Sequence, residues 1–288
     1  MARSQSHTLG EFLGTFFEDL MRIPVRDFAI SNGLFFDSYG KRNARAGKKK
    51  VTWTDVNGSK HDLDFVIEKG GTENEVGQPV AFIELAWRRY TKHSKNKVQE
   101  IQGAVNPICE KYRLLRPFKG AILSGQFTEE SLHQLRNDGF HVLYVPFERF
   151  ISAFKENGLD VDFDEDTSES ELKKKYLNVS KASNRKLLVK VREFLLESCK
   201  EEIGLFVGEM SRSYFRKIKS ISILPLHGEK KEVDDIDMAI AYLSGYSQPV
   251  PGCRLQYIEV IVRYNNESSI QCFFKEKSEV IDFLRRLG

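Results

Sequence analysis

The chain is poor in the features that announce chemistry directly. Its four cysteines, Cys109, Cys199, Cys253 and Cys272, are scattered over 288 residues with no CxxC pair. That argues against a zinc ribbon or a disulfide framework and leaves reduced thiols as the expectation. The six histidines are dispersed, and none is spaced as a metal pair. No GxxxxGK[ST] or GxGxxG follows a strand-like run, and GxSxG is absent. Neither a phosphate-cradling loop nor a nucleophile elbow is therefore expected. No apolar stretch approaches the roughly 18 residues of a membrane span, and the first residues hold no apolar signal core. The expectation is a cytoplasmic chain with no membrane partner. Net charge is only +3, from 44 Lys and Arg against 41 Asp and Glu, so overall charge does not point to nucleic acid.

Local charge does. Lys41 to Lys50 ("KRNARAGKKK") carries six bases and no acid, and Arg88 to Lys97 carries five more bases. Asp160 to Glu171 carries seven acids and no base. Such segregation suits a phosphate-binding surface next to an acidic connector. Apolar content of 41% with 30% charged residues is that of a folded globular chain rather than a disordered one.

Periodicity supplies the elements. Leu9, Phe12, Leu13, Phe16, Phe17 and Leu20 have helical spacing, with Thr8 as cap, Glu11 as its capping-box partner and Pro24 as the stop. Val51 to Val56 and His61 to Ile67 flank Asn57-Gly58, a hairpin signal. Val80 to Trp87 reads as a strand. Lys95 to Tyr112 reads as an amphipathic helix with Val98, Ile101, Val105 and Ile108 on one face, kinked at Pro107. Two more strand and helix pairs follow to Phe154, with Thr128 and Gly139 bounding one helix. Such alternation predicts an α/β fold with a mixed sheet flanked by helices. Residues 1–158 form the expected main domain and 159–180 an acidic linker. Residues 181–288 form a smaller C-terminal α+β domain for dimerisation, target recognition or partner docking. Within it, Ser180 to Glu202 reads as one long helix. Lys219 to Leu226, Ile236 to Leu243, Arg254 to Tyr264 and Ser269 to Phe274 read as strands, "YNNES" as a hairpin turn, and Lys277 to Leu287 as a closing helix.

Three carboxylates stand out by position. Asp64 lies in the second arm of the hairpin, with Asp62 as its neighbour on the same face. Glu84 lies inside the apolar run "AFIELAW". Glu18 lies one turn after Gly14 on the first helix. Carboxylates are seldom buried unless paired or bound to a cation. An Asp and a Glu on neighbouring strands make an oxygen site for Mg²⁺, with Mn²⁺ as a substitute. The cation would activate water for in-line attack on phosphate, and nearby lysines would neutralise the developing charge.

This order, with "GTFFE" at Gly14 to Glu18, "DLDFVI" at Asp62 to Ile67 and "AFIELAW" at Ala81 to Trp87, resembles the PD-(D/E)xK superfamily of nucleases with the restriction-endonuclease-like fold. The resemblance covers Gly10 to Phe154. It implies a Mg²⁺-dependent deoxyribonuclease with Asp64 and Glu84 as metal ligands and Glu18 as an accessory acid. It also implies that Gln99 and Gln102 lie on the helix that carries a polar residue into the site. The family's lysine belongs two residues after Glu84, where this chain has Ala86. Lys95 is the preferred substitute, because it shares a stripe with Gln99, Gln102 and Asn106, and Lys97 and Lys92 are close alternatives. Arg88, Arg89, Lys48, Lys49 and Lys50 are the candidate contacts to DNA. A homodimer is expected if both strands are cut. Restriction or anti-phage defence, with a protein partner, is the setting the superfamily suggests. The alternative is a catalytically inactive DNA-binding or scaffold subunit that keeps the fold, for which Ala86 is the motive.

Overall fold

The structure is a computed structural model that describes residues 4–247, 255–265 and 268–287. Its contacts divide the chain after Ser211 into two compact units.

The first unit opens with helix α1 (Gln5–Ser31). Its buried residues, from Leu9 through Phe17 and Leu20 to Phe28 and Ala29, recur at three- and four-residue spacing. The cap is Ser4, whose hydroxyl accepts from His7 N at 3.3 Å, and not Thr8. Pro24 does not stop the helix. An interior proline costs about 3 kcal/mol, but burial of Val25 and Phe28 beyond it stabilises by about 1.5–3 kcal/mol each, so the helix continues.

Strand β1 (Phe35–Ser38) follows, then the hairpin of β2 (Val51–Thr54) and β3 (Lys60–Leu63), then β4 (Phe65–Lys69) and β5 (Gln78–Arg88). The hairpin turns at Gly58, whose φ of +86° suits glycine. Its second arm is not one strand to Ile67. The chain breaks at Asp64, so β3 stays with β2 in a two-stranded ribbon while β4 joins the main sheet. Trp53 ties the ribbon to the core, its ring 5.1 Å from Phe82 and 5.5 Å from Tyr112.

Helix α2 (Ser94–Lys111), β6 (Phe118–Gly125), α3 (Glu129–Asn137), β7 (His141–Pro146) and α4 (Phe147–Glu156) complete the alternation. Pro107 lies inside α2 without ending it. The main sheet has the order β1-β4-β5-β6-β7. β4 is antiparallel to β1 and to β5, whereas β5, β6 and β7 run parallel. This is the mixed sheet flanked by helices that the alternation predicted.

Residues 159–180 are not a linker. Leu159, Val161 and Phe163 are buried, and α5 (Glu169–Ser180) packs on α1, with Tyr176 edge-on to Phe12 at 6.2 Å. The single helix expected over Ser180 to Glu202 is instead broken near Ala182–Asn184 and again at Cys199. This gives α6 (Arg185–Ser198) and α7 (Lys200–Tyr214). The boundary therefore falls some thirty residues later than the composition implied, because the alternation of acids with Leu159, Val161 and Phe163 seats this stretch on the core.

The second unit is a separate antiparallel sheet of order β11-β10-β8-β9, from β8 (Ile218–Pro225), β9 (Lys231–Val233), β10 (Ile258–Tyr264) and β11 (Ser269–Phe274). Helices α8 (Ile236–Gly245) and α9 (Lys277–Arg285) contribute Ala239, Leu243, Val280 and Leu284 to its core. Ile236 to Leu243 is thus helix rather than strand. Asp235 caps it through Asp237 N and Met238 N, which a short apolar run alone does not reveal. Arg254, Cys253 and the Asn266-Glu267 centre of the predicted "YNNES" turn lie outside the described residues.

Candidate active site

The register of β4 and β5 builds the site. Phe65 pairs with Ile83 in the antiparallel ladder, so one step further Asp64 stands opposite Glu84, with both side chains on one face. Asp64 Oδ2 accepts from Leu85 N at 2.7 Å, and the Asp64 backbone N–H reaches the Glu84 carboxylate. The break that ends β3 thus turns Asp64 into a corner residue locked to β5.

Glu84 is buried, and its Oε1 has no hydrogen-bond partner. Burial first, and the Asp64 charge second, push its carboxyl up to about 8. Asp64 is also raised, chiefly by burial. Glu18 is raised by burial and then by Asp64, although it is paired to Arg22 at 2.9 Å. The charge of Asp64 thus disfavours ionisation of both Glu84 and Glu18.

The nearest cation is Lys97. Its Nζ lies 3.9 Å from Glu84 Oε2 and 3.5 Å from Glu100, and its side chain is 18% exposed. Lys97, Asp64, Glu18, Ala86 and Arg88 line one open cleft of about 600 Å³. The cleft lies between α1 and the C-terminal end of β5, and strand C-termini are a common position for ligand sites in α/β sheets.

The other predicted residues are placed as follows. Lys95 and Gln99 are exposed. Gln102 does not enter the cleft: its amide donates to Asp138 at 2.9 Å and accepts from Gln134 at 2.6 Å, beside Asn106 on the same Asp138. The stripe of Lys95, Gln99, Gln102 and Asn106 is real, but at Gln102 and Asn106 it faces the end of α3. Lys92 pairs with Glu165 at 2.5 Å. Arg89 lines the cleft but is engaged. Its Nε donates to the Phe163 carbonyl, Asp162 lies 3.7 Å away, and the guanidinium sits 4.1 Å over Phe147. Arg88 also lines the cleft and donates to the Trp87 carbonyl at 2.9 Å.

The basic run at 41–50 is divided in role. Arg42 is buried between Asp37 and Glu68, at 2.7 Å from each, and Arg45 holds Asp37 at 3.0 Å. Lys48 and Lys49 are exposed, and Lys50 pairs with Asp62 at 2.6 Å. None of these three lysines lines the cleft.

Apart from Glu18, sequence reasoning missed the polar side of α1. His7, Glu11, Thr15 and Glu18 line the cleft together with Gly10 and Gly14. The spacing of four, four and three marks one helical face, a signal visible in the sequence but overshadowed by the apolar stripe.

Among the described residues no group of three or more His, Cys, Asp or Glu side chains converges as a metal cage. The Asp64 and Glu84 pair fits a hard cation nonetheless. It supplies two carboxylates, one with an unpartnered buried oxygen, and Mg²⁺ commonly takes one or two carboxylates and completes its shell with water.

Comparison with known proteins adds little. No protein family and no curated protein matches the chain. A crystal structure of a protein of unknown function, AF1548, aligns over 66% of this chain and 98% of its own, at 10% identity and a TM-score of 0.28.

Proposed function

We propose that the first unit is a restriction-endonuclease-like domain of the PD-(D/E)xK kind, and that it hydrolyses DNA phosphodiester bonds with Mg²⁺, or Mn²⁺ in its place. The observation that carries the reading is the register-fixed pair of Asp64 and Glu84, with an unpartnered buried oxygen on Glu84 and Lys97 at 3.9 Å.

Asp64 and Glu84 would hold the cation, which supplies charge neutralisation at phosphate and a more acidic water. The protein's own groups do the rest. Both carboxyls give up their protons to become ligands, so binding is favoured as pH rises. Lys97 presents its ammonium to the phosphate oxygens, where charge builds in the transition state. It supplies from α2 the cation that Ala86 does not. Glu18 anchors Arg22 and adds negative potential at Asp64. Arg88 at the rim contacts the backbone of the substrate and positions it. A homodimer would present two such sites to the two strands. A restriction or anti-phage role, with a protein partner, is the setting this activity would serve.

The test is cleavage of plasmid and linear DNA by the full chain. Activity with Mg²⁺ or Mn²⁺, lost in chelator and in Glu84→Gln, is the expected result. A wild-type protein that cuts no DNA with either metal refutes it. Ala86 favours a second reading, an inactive DNA-binding subunit. That reading predicts salt-sensitive binding without cleavage.

A further inference from the structure

We propose that the acidic stretch from Asp160 to Asp166 is a built-in competitor for substrate phosphate. It holds Lys92 and the outer edge of Arg89 in ion pairs until a nucleic-acid backbone takes them over. The proposal rests on reading the cleft as a phosphodiester site.

The stretch is anchored rather than loose. Leu159, Val161 and Phe163 are buried, which leaves Asp160, Asp162 and Asp164 facing outward. Phe163 itself lines the cleft, lies 6.4 Å from the Trp87 ring and packs against the Arg89 guanidinium at 5.6 Å. Asp164 accepts from Thr167 Oγ1 at 2.7 Å and from Asp166 N at 3.1 Å, which fixes the turn that follows. The acids are thus presented at one place beside the cleft.

Their partners are the bases that follow β5. Glu165 meets Lys92 at 2.5 Å, and Asp162 lies 3.7 Å from Arg89. Lys92 also sits 5.2 Å over the ring of Tyr90, a residue of the cleft wall. Lys175 takes Asp160. Five acids between 160 and 166 therefore meet three bases, and the surplus leaves a negative potential beside the cleft. That potential slows the approach of a polyanion.

The pairs are suited to exchange. Lys92 and Glu165 are 59% and 62% exposed; Asp162 is 59% exposed, whereas Arg89, at 13%, offers it only an edge. Exposed pairs contribute little each, so phosphates that bring several charges can displace them. The buried Phe163 and Leu159 keep the stretch in place when they do. The bases then serve the substrate, and unbound carboxylates remain to speed its release.

The experiment measures binding of a short fluorescent DNA duplex to the full chain in Ca²⁺ over a range of salt. It compares wild type with the variant D160N/D162N/D164N/E165Q/D166N. The variant is expected to bind on the order of tenfold tighter at low salt, with a log–log salt slope steeper by up to about two, one for each base released to phosphate. Lys92→Ala is expected to weaken binding more in the neutralised variant than in wild type, where the contact of Lys92 with phosphate is offset by the Glu165 pair it gives up. A general folding defect would not produce that non-additivity. Equal affinity and slope in wild type and variant overturn the proposal. If they are equal and DNA is still cut with Mg²⁺, the nuclease reading stands without the competitor. If the variant binds tighter but neither protein cuts, the competitor stands and hydrolysis falls. If neither binds at any salt, both fall.

Discussion

With no cation between Asp64 and Glu84, the protein should lose stability as pH rises through neutrality. Glu84 is the cause. Its folded carboxyl sits near 8 against an ordinary 4.5. A group raised in this way favours the folded state fully below about pH 4.5, and that advantage is lost as pH climbs through about 8. Between about pH 5 and pH 8 the loss from Glu84 amounts to roughly 3 kcal/mol. Asp64 and Glu18 are also raised, so they act in the same direction. For a unit of this size the change corresponds to a fall in Tm of about 6–12 °C. Glu84→Gln keeps the shape of the protonated acid and removes the titration. It should flatten the profile and stabilise the metal-free protein at about pH 8 by about 4 kcal/mol, while abolishing cleavage. Mg²⁺ at a hundred times its dissociation constant should restore about 2.7 kcal/mol to wild type at that pH and nothing to Glu84→Gln. The assay is thermal and urea unfolding in chelator and in Mg²⁺, at about pH 5 and pH 8. A wild-type profile that stays flat, or a Glu84→Gln protein less stable than wild type at about pH 8, would show that Glu84 is not held as a strained acid.

Three further outcomes follow from the same structure. Lys97→Ala should lower the cleavage rate about a hundredfold or more, while Lys95→Ala should change it less than about threefold; equal losses would return the preference to the exposed stripe. Arg42→Ala should cost about 3–5 kcal/mol in unfolding free energy, because it leaves Asp37 and Glu68 buried without their shared cation. A loss below about 1 kcal/mol would mean that water enters the network. Gly125→Ala places a Cβ 2.0 Å from the Arg88 carbonyl at a φ of +100°. It should destabilise the end of β6 and weaken DNA binding beside Arg88; unchanged Tm and affinity would count against that packing.

Much of the scaffold was legible because its signals are local. The Asn57-Gly58 turn, the Thr128 cap, and the alternation from β5 through α4 depend on residues a few positions apart, and the structure has all of them. The same local rules misplaced the end of α1 at Pro24 and read α8 as a strand. Burial of Val25 and Phe28 outweighs the proline, and a capped apolar run of eight residues suits either element. The basic run at 41–50 looked uniform, yet Arg42 and Arg45 turn inward to the buried Asp37, and Arg42 also to Glu68 on another strand, whereas Lys48 and Lys49 stay in water.

The sequence by itself determined that one acid would lie in an apolar strand and that lysines would follow on a helix, because side-chain period and hydrophobic pattern are properties of neighbours. It determined equally that Lys95, Gln99, Gln102 and Asn106 share a face. Only the tertiary structure decided which way that face looks. Lys95 and Lys97 are two residues apart, about 200° around a helix, so the rotation of α2 set by burying Val98, Ile101 and Val105 turns Lys97 to Glu84 and leaves Lys95 in solvent. The meeting of Asp64 with Glu84 was decided in the same way, by a strand break and a ladder register that exist only once β4 has left the hairpin for the sheet.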